Sequence, residues 1–233
     1  DNNGIRSFHA APAGRHNLCA FEYIYFARPD TTMYGSNIHA VRKVLGKQLA
    51  LEAPVEADLV TGVPDSSISA AIGYAEASGI PYEMGLIKNR YMGRTFIKPT
   101  QEMRETAVRL KLNPVRSIVE GKRVVLVDDS IVRGTTTSHI IKLLKEVGAK
   151  EVHVRISSPP YRFPCYFGID TSARGELIAA NYSIEETRKM IGADSLYYLQ
   201  QPSLVKILAD RGIPICVGCF DGDYPVRIPN MHL

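Results

Sequence analysis

The stretch VVLVDDSIVRGTTT, residues 124–137, decides how this chain is read. Its first four residues, Val124 to Val127, predict a fully apolar strand, and the paired acids Asp128 and Asp129 mark the strand's exposed end. A loop holding Ser130, Arg133 and Gly134 follows, and Thr135, Thr136 and Thr137 open the next helix. Backbone N–H groups at a helix N-terminus, with hydroxyls beside them, make an anion site suited to a phosphate. Two carboxylates close by suit the hydroxyls of a sugar, or a divalent cation bridging to phosphates. Gly134 permits a positive φ and close backbone approach. The string therefore describes a site for a phosphorylated sugar, anionic at one end and rich in hydroxyls at the other. An Asp-Asp pair alone would read as ordinary strand-end acids and the threonines as a simple cap. The whole string together carries the argument. GxxxxGK[ST] and GxGxxG are both absent, so neither a P-loop nucleotidase nor a dinucleotide enzyme is supported.

Outward from this segment, apolar runs alternate with helix-like ones. Asp58 to Val63 reads as a strand followed by the turn Pro64 to Ser67, and Ile68 to Ser78 as an Ala-rich helix closed by Gly79. Ser138 to Val147 is an amphipathic helix closed by Gly148, and Glu151 to Ile156 the next strand. Upstream, Ile38, Val41, Leu45 and Leu49 share one side of a helix over 39–52, with Arg42, Lys43 and Lys47 on another. The aromatic run Ala20 to Ala27 predicts a buried strand. This alternation predicts an α/β fold with a mostly parallel, doubly wound sheet, helices on both faces and ligands beyond the strands' carboxyl ends. After the turn-rich stretch Pro159 to Pro164, short helices are expected over 185–191 and 203–211, then a Gly/Pro-rich tail. The last part reads as an appendage packed on the sheet, not as an independent domain.

An apolar fraction of 45% and a charged fraction of 22% exclude a disordered or fibrous chain. No apolar run approaches the ~18 residues of a membrane span, and no signal peptide opens the chain. A net charge of +4 gives little warrant for nucleic-acid binding. The six histidines show no pairing or clustering. Of the four cysteines, Cys216 and Cys219 form a Cys-x-x-Cys pair, while Cys19 and Cys165 lie far apart. With no export signal, a four-thiolate site for zinc or an iron–sulfur cluster fits better than two disulfides, against the plain alternative of four unrelated thiols. The chain opens at Asp1 with no initiator Met, as expected of a processed chain or a piece of something longer.

The 124–137 string resembles the phosphoribosyl pyrophosphate (PRPP) signature of type I phosphoribosyltransferases. GVPDSS at 62–67, KNRYMGRTFI at 88–97 and FEYIYFARP at 21–29 narrow that resemblance to the glutamine PRPP amidotransferase family, over nearly the whole chain. The resemblance implies formation of phosphoribosylamine from PRPP and ammonia, the first committed step of purine synthesis. It implies that Asp128 and Asp129 bind the ribose hydroxyls and, with Ser66, Mg²⁺. Ser130 to Thr137, including Arg133 and Gly134, would cradle the 5′-phosphate, and the turn with Asp65, Ser66 and Ser67 would face the pyrophosphate. Lys88, Tyr91 and Arg94 would belong to a loop over the substrate, with Lys111 a further phosphate or nucleotide contact. Against this stands the plain reading of that stretch as a solvated basic loop.

The same resemblance implies a structural [4Fe–4S] cluster on Cys19, Cys165, Cys216 and Cys219, the ligand set of one branch of the family. It implies residues 1–30 as a lead-in from a glutaminase domain, 31–175 as the phosphoribosyltransferase core and 176–233 as a helical, cluster-binding appendage. The family's glutaminase uses an N-terminal cysteine, and Asp1 stands at that place here, so ammonia but not glutamine is the expected nitrogen source for these residues. Feedback by purine nucleotides, a homotetramer and a cytoplasmic location are further implications, with no nucleic-acid or membrane partner. Two alternatives belong to other classes: a PRPP- or purine-sensing regulator, and a nucleobase phosphoribosyltransferase. The first would ordinarily carry a DNA-binding module, and no helix-turn-helix pattern is visible.

Overall fold

In the computed structural model, the structure describes residues 4, 16–89, 112–171 and 174–228. The strands are β1 (Leu18–Cys19), β2 (Thr32–Met33), β3 (Ser36–Asn37), β4 (Leu59–Gly62), β5 (Leu86–Lys88), β6 (Leu112–Pro114), β7 (Arg123–Asp128), β8 (Glu151–Ile156), β9 (Ser195–Tyr198) and β10 (Ile215–Cys216). The α-helices are α1 (Ile38–Glu52), α2 (Ile68–Ser78), α3 (Arg116–Val119), α4 (Thr135–Glu146), α5 (Ile178–Asn181), α6 (Ile184–Ile191), α7 (Gln201–Ala209) and α8 (Gly218–Asp221).

The centre is a parallel sheet in the order β4-β7-β8-β9, with Leu126 of β7 level with Thr61 on one side and Val154 on the other. Strand β7 shows why a continuous apolar run was needed there. Val125 and Val127 enter one core with α1, α2 and α7, whereas Val124 and Leu126 enter a second with Ile140, Ile141 and Leu144 of α4. All four are fully buried, as expected of a strand covered by helices on both faces. On the first face, α1 and α2 cross at backbone contact. A Cβ on Gly46 would collide with the Ala70 carbonyl, and one on Gly73 with the Lys43 carbonyl.

Beside the sheet, β5 and β6 pair antiparallel, with Lys88 opposite Leu112, so the two flanks of residues 90–111 are held together. Strand β1 pairs in parallel with β10, tying the start of the described chain to its far end.

Three differences from the sequence expectation have physical causes. The run Ala20 to Ala27 is not a strand: Glu22–Phe26 form a π-helix. The guanidinium of Arg42 captures the carbonyls of Tyr23 and Ala27, at 2.9 and 2.8 Å, and so rewards a coiled backbone over an extended one. Arg42 is accordingly not on a polar face but 2% exposed. Finally, residues 195–198 contribute β9 to the central sheet, an edge strand within a region expected to be helical.

Candidate functional site

The carboxyl end of β7 delivers Asp128 and Asp129 into the base of a cleft of about 670 Å³. Both carboxylates are 7% exposed, and among the described residues neither makes an ion pair. They are held instead by hydroxyls. Ser66 donates to Asp129 at 2.6 Å, Ser130 to its other oxygen at 2.7 Å, and Ser67 to Asp128 at 3.0 Å. The Asp129 amide also donates to Asp128, at 2.9 Å. Burial, and after it the neighbouring charge of Asp129, push the Asp128 carboxyl well above the ordinary carboxylate range. Burial also raises Asp129, opposed by the hydrogen bonds from Ser66 and Ser130 and by the charge of Arg42. Two buried acids side by side, with neutral hydroxyl and amide donors and no ion-pair partner among the described residues, invite a cation or the hydroxyls of a ligand.

The second half of the site follows directly. Gly134 takes φ +79° as the residue before α4, and a side chain there would press on Ile178 at 2.8 Å. Glycine offers no capping side chain, and the N-terminal turn of α4 carries no side-chain cap. Its amides, with the hydroxyls of Thr135 and Thr136, border the same cleft as the acid pair, while Thr137 is buried at its edge. This is the geometry of an anion site facing a carboxylate site.

Lys88 reaches the cleft from β5 and pairs with Asp65 at 2.7 Å, so the turn after β4 and the β5–β6 hairpin meet at its rim. The Pro64–Asp65 peptide is cis. Arg133 lines the cleft but turns its guanidinium onto Glu176, both partners largely exposed. Tyr91, Arg94 and Lys111 lie outside the described residues.

Sequence reasoning missed one whole wall of this cleft. Phe21, Tyr25, Phe26 and Tyr161 line it, and Phe21 packs edge-on against Tyr161 and tilted against Phe220, with ring centres 5.5 and 5.7 Å apart. Reading Ala20 to Ala27 as a strand hid this, because a strand would have sent alternate rings to opposite faces. The one usable signal was Arg42, a cation one position from the apolar stripe of α1.

The cysteines gather elsewhere. The β1–β10 register sets Cys19 directly beside Cys216, and Cys219 follows on α8. All four are free thiols, and Cys165 lies close enough for its charge to act on the other three. Burial raises the thiols of Cys19, Cys216 and Cys219, and their mutual repulsion adds to it. Among the described residues no group of three or more His, Cys, Asp or Glu side chains is arranged around a metal position. The four thiols, as a donor set, suit a thiolate-bound centre. Among the described residues no helix is long and apolar enough to cross a membrane.

Residues 35–157 match the phosphoribosyl transferase domain family. The chain is 57% identical over 232 residues to amidophosphoribosyltransferase of Bacillus subtilis (strain 168), covering 98% of this chain and 49% of that protein. It is 56% identical to the enzyme of the same name from Methanothermobacter thermautotrophicus, over 94% of this chain and 46% of that one. Among solved structures it superimposes on glutamine PRPP amidotransferase from B. subtilis complexed with ADP and GMP, with a TM-score of 0.86 and 56% identity, covering 100% of this chain and 52% of that one. A structure described as the allosteric regulatory enzyme of purine biosynthesis matches with a TM-score of 0.85 and 56% identity, over 99% and 50% of the two chains. The chain thus spans about half the length of the curated relatives it matches. Its α/β fold is the type I phosphoribosyltransferase fold, and the chain belongs to the phosphoribosyltransferase domain family, closely matching the amidophosphoribosyltransferases.

Proposed function

We propose that this chain is the phosphoribosyltransferase part of an amidophosphoribosyltransferase, making 5-phosphoribosylamine and pyrophosphate from PRPP and ammonia. The observation that carries the reading is one cleft lined both by a buried acid pair and by an uncapped helix N-terminus. Those two preferences within one cleft suit a sugar that carries a phosphate. Thr135 to Thr137, Ser130 and Gly134 would hold the 5′-phosphate, and Asp128 and Asp129 the ribose hydroxyls. Asp65, Ser66 and Ser67 would face the pyrophosphate.

The acid pair also fits Mg²⁺, because two buried carboxylates without an ion partner gain most from a cation, and Ser66 stands beside Asp129. When bound, Mg²⁺ supplies positive charge to the leaving pyrophosphate oxygens. The chain's own groups do the remainder. As pyrophosphate departs, positive character develops on the sugar ring, and the carboxylates of Asp128 and Asp129 beneath it oppose that charge favourably. Lys88 can leave Asp65 for the departing oxygens, a role shared in this reading with Tyr91, Arg94 and Lys111. Neutral ammonia is already nucleophilic and needs no dedicated base. The aromatic wall and its neighbours keep water from the ring, where hydrolysis of PRPP competes.

Cys19, Cys165, Cys216 and Cys219 would hold a [4Fe–4S] cluster, which when bound cross-links the two ends of the chain. In this reading 1–30 lead in from a glutaminase domain and 31–175 form the catalytic core, while 176–233 add β9 to its sheet and two of the four cluster cysteines. The glutaminase domain supplies ammonia, purine nucleotides act as feedback inhibitors, and the assembly is a cytoplasmic homotetramer. The test is turnover: Mg²⁺-dependent release of pyrophosphate from PRPP that requires ammonia and yields phosphoribosylamine. PRPP binding without such turnover would overturn the enzymatic reading, and turnover with purine or orotate bases alone would redirect it to a nucleobase transferase.

A further inference from the structure

Arg42 is a charged residue placed where charge is costly. It lies in the middle of α1, 2% exposed, and among the described residues no carboxylate pairs with it directly. Its hydrogen bonds all go to one short piece of backbone. Nε donates to the Tyr23 carbonyl at 2.9 Å, and the terminal nitrogen to those of Ala27 at 2.8 Å and Glu22 at 3.4 Å. These carbonyls belong to the π-helix Glu22–Phe26 and its C-terminal neighbour Ala27, the segment that carries Tyr25 and Phe26 to the cleft. No other side chain among the described residues donates to the carbonyls of Glu22, Tyr23 or Ala27. A methylene stem with a single ammonium could not span acceptors so arranged, whereas a planar fork with five donors can.

The segment needs such a tie because its own packing is one-sided. Tyr23 and Ile24 are buried, but Tyr25 and Phe26 are 48% and 46% exposed, and they face the cleft. Phe26 lies 5.2 Å from Tyr25 and 6.1 Å from Phe21, so the rings move together with the backbone that Arg42 holds. On its other side Arg42 sits near enough to Asp129 for the two charges to attract.

We propose that Arg42 is a positioning residue that fixes the aromatic wall of Phe21, Tyr25 and Phe26 over the acid pair, and thereby decides whether ammonia or water meets the activated sugar. This rests on the phosphoribosyl-transfer reading above. Arg42 touches no reacting atom. It acts through the turn: with the fork intact the rings are held at the cleft, and without it they drift and give water freer access to the ring carbon. Two products from PRPP report the difference. Attack by ammonia releases pyrophosphate and gives phosphoribosylamine, with the surplus proton passing to solvent. Attack by water releases pyrophosphate and gives ribose 5-phosphate.

The experiment measures both products from PRPP, Mg²⁺ and ammonia, for the chain as it stands and for Arg42→Gln, Arg42→Lys and Phe26→Ala. The hydrolysed fraction should rise about tenfold in Arg42→Gln, corresponding to roughly 1.4 kcal/mol between the two barriers. Arg42→Lys, which keeps the charge and loses the fork, should leak nearly as much, since the fork and not the charge holds the turn. Phe26→Ala, at an exposed position, should reproduce the leak without endangering the fold. PRPP affinity, read by calorimetry, should change by less than about threefold throughout. A folded Arg42→Gln or Arg42→Lys with an unchanged product ratio overturns the proposal, as does an unchanged ratio in Phe26→Ala. Near-ultraviolet circular dichroism of the tyrosines separates this from the wider reading. If the parent chain forms neither product, the transferase reading falls. The wall assignment is then decided by that signal, which should weaken in Arg42→Lys if the fork holds the rings and stay unchanged if it does not.

Discussion

The acid pair at the end of β7 and the four thiols around β1 and β10 are both assembled from segments far apart in the chain, but they are built in different ways. Asp128 and Asp129 stand on a strand paired on both sides, and Ser66, Ser67 and Ser130 already satisfy their oxygens. The thiols stand on two-residue strands, a loop and a single helical turn, with backbone amides as their donors: Phe167 to Cys165 at 3.4 Å, Phe21 and Glu22 to Cys19, and Gly218 to Cys216. The first site has its oxygens fixed by neighbouring hydroxyls and by a strand. The second is a set of thiols brought near one another by short segments. A sheet can hold like charges together against their repulsion, whereas short loops cannot. The acid site should therefore keep its geometry when emptied, and the thiol corner should not.

The largest effect should come from the thiol corner. With the proposed cluster in place, Cys216→Ser, or removal of iron by a chelator, should cost at least about 3–5 kcal/mol of stability. It should also free the segment after residue 213, read as a lowered melting temperature and new protease cuts there. A melting curve unaffected by either treatment would erase the contrast between the two regions. Next, Asp128→Asn with Asp129→Asn should weaken PRPP binding by about a hundredfold, some 2.7 kcal/mol, with no loss of stability and, at neutral pH without divalent cations, a raised melting temperature. Calorimetry and a thermal scan on one sample measure both.

How much of this was legible in the sequence follows the same division. Helix α2 ends at Ser78 as its pattern predicted, because Gly79 alone in that stretch takes the left-handed conformation (φ +74°) without strain. Strand β8 was equally plain, and so were the acid pair, Gly134 and the threonines, since strand, turn and helix signals agree there. What stayed hidden depends on partners remote in sequence. Nothing local in AFEYIYFA says that Arg42, 15 to 20 residues further on, will claim its carbonyls. Aromatic residues prefer strands in general, and the fork overrides that preference here. Strand β9 was missed for a related reason: Ser195 to Tyr198 is too short to show a period and becomes a strand only beside β8. The cysteines were legible as a set but not as a geometry.

Two smaller tests sharpen the claim that the acid site is a rigid shape. Gly134→Ala should cost about 1–3 kcal/mol, because it meets both the positive φ and Ile178, and chemical denaturation would show it. Asp128→Asn alone should stabilise the metal-free chain by about 1–2 kcal/mol at neutral pH. The sign follows from burial, which raises the folded-state pKa of Asp128 and so favours its neutral form. That stabilising contribution is fully present below the unfolded carboxylate pKa of about 3.9 and is lost as pH rises through the raised folded value. The benefit of the amide should therefore vanish near pH 3 and grow toward neutrality. Melting curves across that range, without divalent cations, would show it; a benefit constant with pH would mean that burial does not raise the Asp128 carboxyl in the folded chain.

The crossing of α1 and α2 acts as a gauge block. At Gly46 and Gly73 no side chain separates the two backbones, so there α1 and α2 meet as bare peptide against bare peptide. Arg42 lies one turn before Gly46, and its reach to the π-helix is measured from that contact. A single methyl group added at the crossing would shift the ruler and not the object it measures, detuning the mouth of the cleft from beneath. Variants there should lose stability and product fidelity together, since backbone meets the added methyl, and a search for functional residues that begins at the pocket would pass them over.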